Sequence, residues 1–167
     1  GGVTVGCSTG GAGGHGKITL RQALADSCNC AFIQLGIQTG SRRILEMAES
    51  MGLGADVCPQ LSESTGHLPV NAEECGIANL SIGQGTILCT PLQITSLMNC
   101  IASGGIRMPL KILMPDTEKD LIKYDVCPDI LRDYPKQNSE GVRVLSKKTA
   151  ASLLSMMRET TVSGTAQ

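Results

Sequence analysis

The chain has 167 residues, enough for one domain with its own core or part of one, and too few for two ordinary domains. Its only aromatic residues are Phe32, Tyr124 and Tyr134, so any core must be aliphatic, which argues against base-stacking nucleic-acid modules and aromatic cages. With 14 basic against 15 acidic residues and a net charge of −1, it has no electrostatic footprint for DNA, RNA or an anionic membrane surface.

Val3-Thr4-Val5 alternates like a short strand, and a glycine-rich loop carrying His15 follows over residues 10–16. Gly11-Ala-Gly-Gly-His-Gly16-Lys17 fits G-x-x-x-x-G-K, so a nucleotide-binding loop over Gly11 to Lys17 is one reading. A phosphate loop also needs a hydroxyl after its Lys to hold Mg²⁺, and here Ile18 stands in that place, so a flexible surface hairpin is expected. Thr19 with Gln22 three residues on is the capping-box arrangement and predicts a helix from about Leu20. Apolar residues at Leu20, Leu24, Cys28, Ala31, Phe32 and Leu35 keep helical spacing straight through Ser27-Cys28-Asn29. On a continuous helix, residues two apart diverge by about 200°, so Ser27 and Asn29 can serve one site only if the helix breaks between them.

Ser41 is expected to cap a further helix carrying Ile44, Leu45, Ala48 and Met51, closed by Gly52, and residues 56–71 read as loop. Residues 75–106 hold no charge, but Gly, Gln, Asn, Thr and Pro interrupt them too often for a membrane span of about 20 apolar residues, so a buried core segment is expected. Within it, Thr90-Pro91 is a strong helix start, and the stripe Ile94, Leu97, Met98, Ile101 leads to Gly104-Gly105. Such a charge-free helix should be central and buried. Residues 106–114 and 142–145 could be extended, the charge-rich stretch 116–140 reads as exposed loop, and Ser146 caps a last helix with stripe Ala150, Leu153, Leu154 and Met157.

The eight cysteines include no C-x-x-C, and Cys28-Asn29-Cys30 is the nearest pair, so no metal ligand is assigned and buried or free thiols are expected. Neither end carries a secretory-signal or lipidation pattern, and the start at Gly1-Gly2 with the stop at Gln167 suggests a piece of something larger.

The string from Ile18 to Gly36, with Ser27-Cys28-Asn29 inside it, resembles the stretch around the second active-site motif of penicillin-binding protein transpeptidases. Ser81-Ile-Gly-Gln-Gly85, then Thr90-Pro-Leu-Gln-Ile94 and Ala102-Ser-Gly-Gly105, resemble a second block of that family in the same order. His15-Gly16, and Met157 with Gly164-Thr-Ala166, fit its monofunctional class B branch. The resemblance implies an α+β fold: the mostly helical part of the penicillin-binding/serine β-lactamase-like transpeptidase fold, with an incomplete antiparallel sheet. It makes residues 1–167 a partial transpeptidase domain, with the S-x-N block at 18–36, the charge-free block at 75–106, an exposed loop at 115–141 and a C-terminal helix at 146–160. It further implies acyl transfer to or from a peptidoglycan stem peptide, or reaction with a β-lactam, with no cofactor and no nucleic-acid partner, in an extracytoplasmic, membrane-anchored parent.

In that resemblance Ser27 relays a proton toward the leaving amine and Asn29 orients substrate and the lysine of the first motif, while Cys28 points away. No Ser or Thr of the chain has Lys three residues on, so the nucleophile of S-x-x-K is expected outside it. Val162-Ser-Gly-Thr-Ala-Gln167 could be read as the third motif with Val162 in place of Lys, but the better alignment takes Met157 and Gly164-Thr-Ala166 as the segment before that motif. Substrate-binding residues stay unassigned. The chain alone is expected to be inactive and to self-associate through apolar surface. The alternatives are a natural non-catalytic interaction module of the same fold and, further off, the nucleotide-binding loop.

Overall fold

The computed structural model describes residues 5–7, 14–58, 61, 64–70, 74, 76–111 and 141–166. The expected strand at Val3-Thr4-Val5, most of the glycine-rich loop at 10–16, Cys75, Cys127 and nearly all of the loop at 115–141 lie outside the described residues.

Among the described residues, six helices and one two-stranded ribbon follow in chain order: α1 (Leu20–Ala25), α2 (Asn29–Thr39), α3 (Ser41–Ser50), α4 (Ile77–Ser81), α5 (Pro91–Ala102), β1 (Ile106–Arg107), β2 (Val142–Arg143) and α6 (Lys147–Val162). The strands pair antiparallel, with Ile106 opposite Arg143 and Arg107 opposite Val142. Helix outweighs strand, as expected, and 106–107 and 142–143 are extended within the two stretches predicted.

Helix starts follow from local chemistry. Thr19 accepts the Gln22 amide while Gln22 Oε1 accepts the Thr19 amide at 2.9 Å, which closes the predicted box on α1. Thr90 and Gln93 do the same for α5, with Pro91 at its first position, and the Ser146 hydroxyl accepts the Thr149 amide at 3.0 Å to start α6. One cap differs from expectation. Ser41 is already the first residue of α3, and Gly40 at φ +85° ends α2 and starts α3 at once, because a one-residue link between two helices needs a backbone geometry that glycine tolerates. Gly52 closes α3 as predicted, with the Leu53 amide donating to the Ala48 carbonyl at 3.0 Å.

The core has two parts. Met51, Cys100, Ile101 and Leu145 form one, flanked by Leu97, Val144, Leu153 and Met157; Leu45 and Leu80 form the other, flanked by Ile44, Leu68, Ile77 and Ile87. α2 packs on α4 at Gly36, where a Cβ would meet the Ser81 side chain, and α1 packs on α6.

The face that α5 buries keeps half of the predicted stripe: Ile101 lies in the core and Leu97 packs against it, but Ile94 and Met98 do not. Gln93, Ser96, Cys100 and Ile101 are buried, whereas Ile94 and Met98 are 43% and 44% exposed. The helix leans on α6 and β1, and on the backbone at Ala55 and Thr65, through a partly polar face. Gln93, fully buried, donates from Nε2 to the Ala55 and Thr65 carbonyls at 2.8 Å each and accepts the Thr90 amide at 3.1 Å. The absence of charge from this helix therefore reflects burial on one side only. On α6, likewise, Ala150, Leu153 and Met157 face the core and Leu154 is exposed.

Candidate functional site

The apolar spacing predicted one helix through Ser27-Cys28-Asn29, and the chain breaks there instead. α1 ends in a Schellman arrangement: the Ser27 amide donates to the Leu24 carbonyl at 3.2 Å, and the Cys28 amide reaches five residues back to the Ala23 carbonyl at 2.9 Å. Ser27 sits in the left-handed position of this turn at φ +50°, the one described non-glycine residue with positive φ. Cys28 follows at the position that tucks an apolar side chain under the finished helix; it is buried and serves as the N-cap residue of α2. Asn29 opens α2. The break thus meets the condition under which residues two apart can address one site: Ser27 is exposed, Asn29 is half-buried, and the Cys28 side chain between them is directed inward.

Residues 163–166 close over this turn from the end of α6. The Thr165 amide donates to the Ala25 carbonyl at 3.0 Å, satisfying an orphan acceptor at the end of α1, and the Ser27 and Thr165 hydroxyls lie 2.9 Å apart. Gly164 makes this approach feasible, since a Cβ there would lie 2.9 Å from both the Ala25 carbonyl carbon and the Thr160 Cα. Arg21 clamps the two helices one turn away, donating to the Ser155 carbonyl at 2.9 Å and to its hydroxyl at 3.0 Å, with Glu159 at 3.7 Å. Val162 is the last residue of α6 and 163–166 are turns, which fits the segment before the third motif better than the strand of that motif.

Among the described residues, the hydroxyl pair bonds only within itself and to the Ala25 carbonyl, and no acid or base side chain joins it. A hydroxyl becomes a good nucleophile when an adjacent base activates it, and no such group stands beside this pair among the described residues. Thr165 as a neighbour of Ser27 was not foreseen from sequence; the available signal was Gly164-Thr-Ala166.

On the inner side of the same turn, Cys28 Sγ lies 3.4 Å from Cys7 Sγ, and one donor atom each of Cys7, His15 and Cys28 lies within 4.8 Å of the others. Hydrogen bonds from Cys30, His15 and Cys28, in that order of weight, lower the Cys7 thiol to a pKa of about 6, and the same contact with Cys7 pushes Cys30 up. These residues line a groove of about 470 Å³ together with Lys17. Lys17, itself exposed, is among the residues that line this groove.

The chain belongs to the family of the penicillin binding protein transpeptidase domain, whose model matches residues 7–167. Among its relatives, peptidoglycan D,D-transpeptidase PbpA of Mycobacterium tuberculosis (strain ATCC 25618 / H37Rv) is 41% identical over 100 residues, covering 58% of this chain and 20% of that protein. The PbpA of Mycolicibacterium smegmatis (strain ATCC 700084 / mc(2)155) is 33% identical over 145 residues, covering 84% of the chain and 27% of that protein. The chain thus spans about a quarter or less of the length of these relatives. Among solved structures, PBPA from Mycobacterium tuberculosis superposes with a TM-score of 0.60 at 29% identity over 86% of this chain and 31% of its own. The imipenem acyl-enzyme complex of penicillin-binding protein A from the same organism superposes with a TM-score of 0.64 at 27% identity, over 91% of the chain and 34% of its own. The expected α+β fold, the mostly helical part of a penicillin-binding transpeptidase with little of its antiparallel sheet, is borne out.

Proposed function

We propose that this chain supplies the second motif of a serine-type peptidoglycan D,D-transpeptidase, working with a nucleophile and lysine from an S-x-x-K segment outside it. The observation that carries this reading is the break at residues 26–28, which sends the Ser27 hydroxyl outward at the head of α2, beside Asn29, and buries Cys28. In this role Ser27 moves a proton between the lysine and the leaving amine, Thr165 holds the hydroxyl in place at 2.9 Å, and the Asn29 amide orients the substrate carbonyl and the lysine. The substrate is a stem peptide or, as a mimic, a β-lactam, and the setting is the extracytoplasmic face of a membrane. No helix among the described residues is long and apolar enough to cross a membrane.

Two measurements test the reading. The 167-residue chain incubated with a reporter β-lactam should show no mass increase; a stoichiometric adduct on a Ser would place the nucleophile inside the chain and refute the division of labour. In a protein joining this chain to an S-x-x-K segment, Asn29→Ala and Ser27→Ala should slow acylation by about 10²–10⁴-fold, the usual range for positioned proton transfer. Unchanged acylation would favour a non-catalytic interaction module of the same fold.

A further inference from the structure

The acyl-transfer reading leaves the sulfur-rich groove under the Ser27 turn without a role. We propose that Cys7, His15 and Cys28, completed by Cys30, form a Zn²⁺ site that ties residues 5–7 and 14–18 to the start of α2. Three thiols and one imidazole make up one of the usual donor sets of closed, structural zinc sites.

The geometry is close to what the ion requires. Zn–S bonds of about 2.3 Å at tetrahedral angles place sulfur atoms about 3.8 Å apart. Cys7 Sγ and Cys28 Sγ stand at 3.4 Å, and the donor atoms of Cys7, His15 and Cys28 all fall within 4.8 Å of one another. Cys30 stands on the same side: it lines the same groove, and its thiol donates to the Val5 carbonyl at 3.4 Å. Three separate pieces of chain meet here, namely residues 5–7, the turn at 14–16, and the junction of α1 with α2. A Cys7–Cys28 disulfide would use two of these four groups and leave the imidazole and third thiol without a purpose; a tetrahedral cation uses all four.

Binding Zn²⁺ to three thiolates and a neutral imidazole displaces whatever protons the thiols still hold, so affinity should rise with pH until all three are ionised. Cys28 lies between Ser27 and Asn29, so an ion on its sulfur would hold the middle residue of the turn from beneath. This last consequence rests on the acyl-transfer reading. The metal site itself does not, because its readout is metal content.

The test is made on the purified protein, reduced, loaded with Zn²⁺ and freed of excess ion. One Zn²⁺ per chain is expected by elemental analysis, and Co²⁺ in its place should show thiolate-to-cobalt charge-transfer absorption. Cys7→Ser, His15→Ala and Cys28→Ser should each weaken binding by more than the roughly 100-fold that an outer-sphere change produces. Cys89→Ser, at an exposed thiol outside the groove, should keep full occupancy. Absence of stoichiometric Zn²⁺ and of the cobalt band in the wild-type protein overturns the proposal, whatever the variants do. So does undiminished binding by folded Cys7→Ser and Cys28→Ser, with folding checked by far-UV circular dichroism, or a Cys7–Cys28 disulfide found by peptide mapping in protein that binds no metal.

Discussion

Replacing Gln93 by Ala removes the side chain that joins the start of α5 to the backbone at Ala55 and Thr65. Its Nε2 donates to the Ala55 and Thr65 carbonyls at 2.8 Å each, its Oε1 accepts the Thr90 amide at 3.1 Å, and the residue is fully buried. Three hydrogen bonds at about 1 kcal/mol net apiece, with further loss where a carbonyl stays buried and unpaired, give a destabilisation of about 2–4 kcal/mol. For a chain of this size that lowers the thermal midpoint by about 4–16 °C, read by far-UV circular dichroism. Gln93→Glu probes the same geometry through pH. A carboxylate there would face two carbonyl oxygens, and only its protonated form can donate to either, so the folded state raises its pKa above the ordinary value of about 4.3. The stability of that variant is accordingly greatest below about pH 4 and is lost as pH rises through the folded-state pKa. A midpoint for Gln93→Ala within about 1 °C of wild type, or a Gln93→Glu deficit independent of pH beyond that of the parent protein, would refute the reasoning.

Three more outcomes are expected. Gly164→Ala forces a Cβ against the Ala25 carbonyl and Thr160 and should destabilise by about 1–3 kcal/mol in denaturant titration, whereas Gly6→Ala, with open space around it, should stay within about 0.5 kcal/mol. The chain alone should run larger than a monomer in light scattering, because Leu20, Ile37, Ile94, Met98 and Leu154 each expose 41% or more of their surface; a clean monomer counts against this. In metal-free, reduced protein, Cys7 should alkylate at neutral pH ahead of Cys89, whose thiol burial pushes up, and its rate should fall as pH drops below about 6; modification of Cys89 first would contradict the assigned hydrogen bonds.

The features that were legible in the sequence are those whose chemistry is local. Thr19 with Gln22, Thr90-Pro91 with Gln93, and Ser146 with Thr149 satisfy amides within one turn, so the side chains alone mark where α1, α5 and α6 begin. The break at Ser27 was not readable in this way. A Schellman turn usually announces itself by glycine, here the left-handed position holds Ser, and the apolar spacing from Leu24 to Cys28 runs on because Cys28 is buried whether or not the helix continues. Resemblance to a family pointed to Ser27 and Asn29; periodicity did not. The buried polar face of α5 was equally hidden, since the partners of Gln93 are backbone carbonyls at residues 55 and 65, which leave no trace in the side-chain pattern. The Cys7, His15 and Cys28 cluster spans 21 residues and has no C-x-x-C hook, so only the folded turn brings its members together.

The left-handed backbone at Ser27 sets fold and chemistry against each other. A Cβ in this conformation costs about 1 kcal/mol relative to glycine, so Ser27→Gly should firm the turn while deleting the hydroxyl that meets Thr165. Ser27→Ala keeps the strained Cβ and loses the same hydroxyl. Comparing the two therefore separates what the residue does for the chain's stability from what its oxygen does at the surface, and a Gly variant that melts later as the isolated chain, yet slows acylation in the protein joined to an S-x-x-K segment, would show that the strain is held for the sake of the oxygen.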